Sequence, residues 1–376
     1  MDFNLSEDQI MLRDSTKDFV VNSLSAHAGD ADKNRQFETS ALTALKELGY
    51  FGICLPPELG GAGFDTLSLV IVLEELAKYN AAEALLVSNT NALALGGLNK
   101  FTSQEIVKDY ITKIASGDKI GSIALNESDD NFNLDSVTTR AAVNGELYLM
   151  NGIKKHVLFT QLADFYLISA QIDGGENESL FLVEKDAKGL KITKKPRMMG
   201  VNAASPGDIE LKNCEVKHEC IVGQQGYGRE IAEQVLLLNQ LGLAAIAVGI
   251  SAGSLEEAIE YSQVRKQFNR PISDFHAIKF MLADMSSNIE AARLLVYKAA
   301  SLSPHDSKYA TAIASAKLFA SETAFRNVHH ANQIFGGYGY IKEYTIERLF
   351  REQLLTELFE MNGDSIRLRI TESLLG

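Results

Sequence analysis

Near the end of the chain, "LTELFEMNGDS" sets Glu360 between Phe359 and Met361. A carboxylate between two large apolar side chains is either a helix-end surface residue or a base kept in a dry place. Loss of water disfavours its charged form and raises its affinity for a proton. The chemistry open to such a group is proton abstraction. A second stretch, "YSQVRKQFNRPISDFHAIKFMLADM", sets Arg265 and Lys266 ahead of Phe268, with Pro271 enforcing a turn. An arginine near a planar ring suits a phosphate and a purine. Basic residues that favour a helix C-terminus explain the same pattern without a ligand. In a third, "NQIFGGYGYIKEYTIERLFRE", Gly336 and Gly337 follow an apolar helix. Paired glycines let backbone amides come close to another group, or they simply end the helix.

Three zones of different texture must position these residues. Residues 1–120 read as helices. Ser6 with Gln9 forms a capping box pattern, and Gly49 ends "SALTALKELGYFG". Asp65 is the cap expected for the buried helix "DTLSLVIVLEELAKYN", and Thr102 or Ser103 for "TSQEIVKDYITKIASGD". Residues 121–225 hold short runs rich in Val, Ile, Thr, Tyr and Phe, and Asn144-Gly145 signals a hairpin. This predicts a small antiparallel β domain. Residues 226–376 return to long helices, one capped by Ser273 and one ended by Gly336, and short connections between them suggest an antiparallel bundle. The order α, β, α has no βαβ alternation and no GxGxxG after a strand, which argues against a Rossmann or P-loop fold.

Composition narrows the function classes. The chain has 376 residues, 46% hydrophobic and 23% charged, so it is too long for one simple core and too apolar for disorder to dominate. A net charge of −13 repels phosphate backbones and anionic lipid, which argues against nucleic acid and membrane partners. No apolar run reads as a membrane span, and "MDFNLSEDQIML" does not read as a secretory signal. Three cysteines without Cys-x-x-Cys, and seven histidines without ligand spacing, argue for a reducing compartment and against a metal site. The compartment expected is the cytoplasm.

The motifs carry a resemblance. "RKQFNRPISDFHAIKFMLADM" and "QIFGGYGY", in that order, are similar to signatures of the acyl-CoA dehydrogenase family. The opening "MDFNLSEDQIMLRDSTKDFV", the run "ELGYFGICLPPELGGAGFD", the hairpin "GELYLMNGIKKHV" and "IERLFREQLLTELFE" extend the likeness along the whole chain. The resemblance implies an N-terminal α-helical domain, a middle β-barrel-like domain and a C-terminal four-helix bundle. It implies FAD, usually in a homotetramer. Arg265, Gln267 and Phe268 then hold the FAD of a neighbouring subunit, and Gln333, Gly336 and Gly337 meet its adenosine and pyrophosphate side. Glu360 falls at the family's base, with His156, Asn126, Leu158 and Asn362 around the cofactor. Leu237, Gln240, Phe132, Phe359 and Met361 are then expected around the substrate.

The implied reaction is α,β-dehydrogenation of an acyl thioester. Glu360 takes the α-proton, the β-hydrogen passes as hydride to flavin N5, and the redox step belongs to the cofactor. Electrons then leave to an electron-transferring flavoprotein. The sequence also departs from the family. "LNESDDNFNLD" replaces the usual glycine-rich opening of the β domain, with Asn126 for a flavin-bonding Thr and with Asp129 and Asp130 adding charge. His156-Val157-Leu158 replaces a Trp-Ile-Thr segment, Leu237-Leu238-Asn239-Gln240 replaces an Asp-x-x-Arg segment, and Met361 replaces a Gly. An unusual acyl-CoA or carrier-protein-bound substrate, a subunit of a heterotetramer, and a catalytically silent paralog all follow from that pattern.

Overall fold

The computed structural model describes residues 4–24, 27–129, 134, 137–173, 175 and 177–375. The chain opens with α1 (Glu7–Phe19), α2 (Ala28–Asn34) and α3 (Thr39–Glu47). The capping box forms: Gln9 N–H donates to Ser6 Oγ, and Ser6 N–H to Gln9 Oε1. Gly49, at φ 69°, closes the end of α3. Helix α4 (Thr66–Ala77) starts on Asp65, whose Oδ1 accepts from Ser68 N–H at 2.7 Å. Helix α5 (Ala81–Asn91) and α6 (Glu105–Ala115) complete this helical zone. For α6 the capping position falls on Gln104, whose side chain bonds Gly223 rather than the helix, and not on Thr102 or Ser103.

The middle of the chain supplies β1 (Gly121–Ala124), β2 (Arg140–Asn144), β3 (Leu147–Val157), β4 (Phe165–Ile172), β5 (Glu178–Glu184), β6 (Leu190–Ile192), β7 (Gly207–Lys217) and β8 (Ile221–Val222). The Asn144-Gly145 hairpin forms between β2 and β3, with Gly145 at φ 62°. The expectation of a purely antiparallel sheet is corrected, because β1 and β2 both run parallel to β4. The sheet is therefore mixed, in the open order β6-β7-β3-β2-β4-β5-β8 with β1 also on β4. The cause is the chain's route. β3 folds back along one edge of β2, and β4 then reverses again onto β2's other edge, so it runs in β2's direction.

β1 and β2 share one edge of β4, β1 opposite Phe165–Ile168 and β2 opposite Gln171–Ile172. The chain must leave the sheet between them. The start of that departure stays tied to β3, with Lys155 N–H donating to Asn126 O at 2.7 Å.

Four long helices follow: α7 (Gly228–Val264), α8 (His276–Ala300), α9 (Tyr309–Phe335) and α10 (Thr345–Leu358), then α11 (Gly363–Leu375). α7 packs on α8, α9 and α10 and also on α4 and α5, so it is the axis of the core. Contrary to the sequence reading, α7 is long and apolar enough to cross a membrane, with a mean hydropathy of 1.9 over its most apolar window. Within the fold 94% of that window is buried, so its apolarity is that of a core helix covered on all sides. The capping position of α8 is Phe275, not Ser273, which lies in a preceding 3₁₀ turn.

Candidate active site

Glu360 sits in the break between α10 and α11. Helix α10 ends as Phe359 N–H bonds Leu355 O at 2.9 Å. Helix α11 starts on Asn362, whose Oδ1 accepts from Ser365 N–H at 3.0 Å. Between them Met361 N–H closes onto Phe359 O at 2.9 Å, and Glu360 lies at φ 65°. This is a γ-turn with positive φ at a residue that has a Cβ, a strained arrangement. The fully buried Lys317 of α9 holds it from inside the bundle. Its Nζ donates to Phe359 O at 2.6 Å and to Met361 O at 3.0 Å.

The carboxylate is held from a second side. Asn239 of α7 donates from Nδ2 to Glu360 Oε1 at 2.6 Å. Asn239 Oδ1 in turn accepts from Ser88 Oγ of α5 at 2.9 Å. This contact needs α5 and α7 to approach closely. A Cβ added at Gly242, one turn along α7, would stand 1.9 Å from Ser88 Oγ. Glu360 Oε2 has no partner. Burial pushes the Glu360 carboxyl up to about 7, while the Lys317 charge and the Asn239 hydrogen bond oppose the rise. Burial likewise lowers the Lys317 ammonium, opposed by Glu360.

Glu360 opens onto a cleft of about 490 Å³ between the sheet and the helices. Asn126, Asp129, Lys155, His156 and Leu158 form the sheet side, and Leu236, Asn239, Leu355, Phe359, Met361 and Asn362 the helix side. The sequence-expected Asn126, His156, Leu158, Phe359, Met361 and Asn362 are therefore brought together around Glu360. Two residues expected around the substrate are not. Leu237 and Gln240 are buried in α7, but Leu236 and Asn239 line the cleft in their place. One step along a helix is a rotation of about 100°, so Leu237 points elsewhere. Phe132 and Asp130 lie outside the described residues.

The sheet side is held by buried charge. Lys154, fully buried, donates to Glu127 Oε1 at 2.5 Å and to Ser169 Oγ at 2.9 Å. Glu127 also accepts from Thr138 N–H at 2.7 Å and Thr139 Oγ at 2.7 Å. Burial would raise the Glu127 carboxyl, but Lys154 and the two threonines hold it below its usual range. Its neighbour Asn126 folds back, with Nδ2 donating to Ser128 O at 2.8 Å. A register shift between Lys154 and Val157 interrupts the pairing of β3 with β7, with His156 at φ 54°. At the cleft mouth Lys155 Nζ bonds Asp129 Oδ2 at 3.1 Å, and His156 Nε2 lies 3.5 Å from Asp129 Oδ1.

The other motif residues sit elsewhere. Arg265, Gln267, Phe268, Gln333, Gly336 and Gly337 are all exposed, and none lines the cleft. They cluster at one end of the bundle. The Arg265 guanidinium lies over the Tyr338 ring at 5.5 Å, and Tyr261 stacks on Phe335 at 4.1 Å. Phe268, 88% exposed, stands at the tip of a two-stranded hairpin formed by Lys266–Gln267 and Arg270–Pro271. Gly336 needs glycine for its backbone, φ 59° and ψ −133°. A Cβ at Gly337 would meet nothing within 4 Å, so nothing inside this chain excludes one.

Matches to known proteins run along the chain. Residues 6–118 match the acyl-CoA dehydrogenase N-terminal domain, 122–214 its middle domain and 226–375 its C-terminal domain. The chain belongs to the acyl-CoA dehydrogenase family. It is 34% identical over 374 residues to a short-chain specific acyl-CoA dehydrogenase of Clostridium acetobutylicum, covering 99% of both chains. It is 34% identical to the caffeyl-CoA reductase-Etf complex subunit CarC of Acetobacterium woodii, covering 98% of this chain and 99% of that one. The solved butyryl-CoA dehydrogenase of Megasphaera elsdenii superposes with a TM-score of 0.95 at 31% identity, covering all of both chains.

Lys317, Asn239, Ser88 and Leu236 were not singled out from the sequence as site residues. A signal for Lys317 was present. It is the charged member of the stripe Ile313, Ala316, Lys317, Ala320 and Ala324, which runs at helical spacing along the buried face of α9.

Proposed function

We propose that Glu360 is the base of this acyl-CoA dehydrogenase and removes the α-proton of an acyl-CoA lying in the cleft. The chain is an oxidoreductase of the FAD-dependent type that dehydrogenates acyl-CoA. The observation that carries the role of Glu360 is its one unpartnered oxygen, Oε2, in a buried carboxylate that lines the cleft. A thioester α-proton is weakly acidic, so its removal needs a base of raised proton affinity in a water-poor site.

The residues present fit the cofactor in two parts. The apolar Leu158 and Met198, beside Asn126 and His156, suit the flat ring system next to Glu360. Arg265, Phe268, Gln333, Gly336 and Gly337 suit a nucleotide end, and the open approach at Gly337 leaves room for a phosphate. Bound FAD supplies the two-electron acceptor for the β-hydrogen. The chain's own residues do the remainder. Leu158, Leu236, Leu355 and Phe359 exclude water from the acyl group, Asn239 aims the carboxylate, and Oε2 receives the proton.

The two groups of cofactor residues do not share a cleft in one chain, and the nucleotide group is exposed. We therefore propose that a second copy completes each site, in a homotetramer. Large apolar side chains on the bundle surface, such as Phe280 at 66% exposed, support an interface there. The likeness to the CarC subunit supports an electron-transferring flavoprotein as acceptor. The free cysteines Cys54, Cys214 and Cys220 support a reducing compartment, which we take to be the cytoplasm.

The deciding experiment is reduction of bound flavin by butyryl-CoA in Glu360→Gln. Flavin content is expected to stay at the wild-type level while the reduction rate falls about 100- to 10,000-fold. A wild-type rate would assign the base to another group.

A further inference from the structure

The break between α10 and α11 poses a problem that Glu360 does not solve by itself. Its backbone is strained, and its two flanking carbonyls point back into the bundle. A positive φ at a residue with a Cβ persists only where its surroundings over-determine it. Two carbonyls facing the core would also each lose a hydrogen bond to water. Lys317 meets both needs at once. It is fully buried, it sits among the alanines Ala314, Ala316 and Ala320 of α9, and its ammonium reaches both carbonyls. A buried lysine is costly to retain, since burial disfavours its charge. Alanine or methionine would fill this apolar stripe at no such cost.

We propose that Lys317 is a positioning residue for the base: its ammonium clamps the carbonyls on either side of Glu360, holds the strained turn, and so aims the carboxylate into the cleft. The proposal rests on the reading that Glu360 is the base. The arrangement has a second consequence. The same cation lies on the buried side of Glu360 and favours its ionised form, so a single side chain sets both the direction and the readiness of the base. Other groups also face this turn. Asn239 and Ser88 come from α7 and α5 without charge, and Arg369 of α11 reaches Met361 Sδ at 3.9 Å. Asp129, Lys155 and His156 lie across the cleft, paired with one another at its mouth.

The test uses holoenzyme with Lys317→Met and Lys317→Gln, followed by stopped-flow reduction of bound flavin by butyryl-CoA from acid to alkaline pH. Methionine keeps the apolar stem and removes both hydrogen bonds and the charge. It should lower the limiting reduction rate about 100-fold, as for a misaimed catalytic group, with KM near wild type. The pH at which the rate rises should also move up, because the cation that favours the carboxylate is gone. Glutamine can still donate to one carbonyl. It should recover part of the rate but leave the pH limb displaced. An infrared titration of the Glu360 carboxyl, isolated by subtracting the Glu360→Gln spectrum, should show the same upward move in both variants.

A wild-type rate and limb in Lys317→Met would overturn the proposal. So would parallel loss of rate, flavin content and thermal stability in both variants with the infrared midpoint unmoved, which is the behaviour of a scaffold residue. Neither result depends on the separate outcome that Glu360→Gln retains activity, which would instead remove the reading on which the clamp rests.

Discussion

The proposed base and the proposed nucleotide motifs are two regions built in opposite ways. Around Glu360 the described residues of one chain supply the close partners: Lys317 beneath, Asn239 and Ser88 beside, and Phe359 and Met361 around it. At the far end of the bundle, Arg265, Phe268 and Gly337 face outward, and Phe268 is 88% exposed. The first region is finished within one chain and the second is not. A base must be held to a fraction of an ångström, which a core does well. A nucleotide end can be assembled when subunits meet.

That contrast can be broken or sharpened in order of effect. The largest loss is expected in Glu360→Gln, as set out above, where reduction fails with flavin still bound. Next, Lys154→Met should cost about 3–5 kcal/mol of stability by leaving the half-buried Glu127 without its counter-charge, measured by urea unfolding. A cost near zero would mean that the sheet wall of the cleft is not held by this pair. Smaller still, Arg265→Ala with Phe268→Ala should weaken FAD retention about tenfold or more. The same pair should leave the unfolding of the flavin-free protein within about 0.5 kcal/mol of wild type, as for exposed sites. A large stability loss there would show that this region is also finished internally, and the contrast would fall. The smallest effect concerns pH. The wild-type reduction rate should rise with pH through about 7, as Glu360 loses its proton. Asn239→Ala removes a hydrogen bond to the charged form, so this limb should move up by about one pH unit.

What the sequence made legible was local. Ser6 with Gln9, Asp65, and Asn144-Gly145 each act within a few residues, and each forms as expected. Glu360 stands out in the sequence through its neighbours and its order after two motifs. The parallel pairs on β4 were not legible, because which edge a returning strand takes depends on residues far away in sequence. The face of α7 was not legible either. A helix buried almost all round has no polar stripe to mark a direction, so Leu237 and Gln240 could not be told from Leu236 and Asn239. Lys317 was legible in principle, as a lone cation in a run of alanines. A charge there is readable only once the buried carbonyls it serves are known.

The shared edge of β4 has a further consequence. β1 and β2 each pair with β4 on their own account, and the segment that joins them is tied to the sheet through Glu127, which accepts hydrogen bonds from Lys154, Thr138 and Thr139. That segment begins with the wall of the cleft, at Leu125, Asn126 and Asp129. Apart from Glu127, its composition can drift, and a glycine-rich turn can give way to "LNESDDNFNLD", while the strands on either side stay in register. The fold thus sets a changeable piece of chain beside the Glu360 carboxylate, so the cleft wall can be altered there while Lys317 and Asn239 keep their hold.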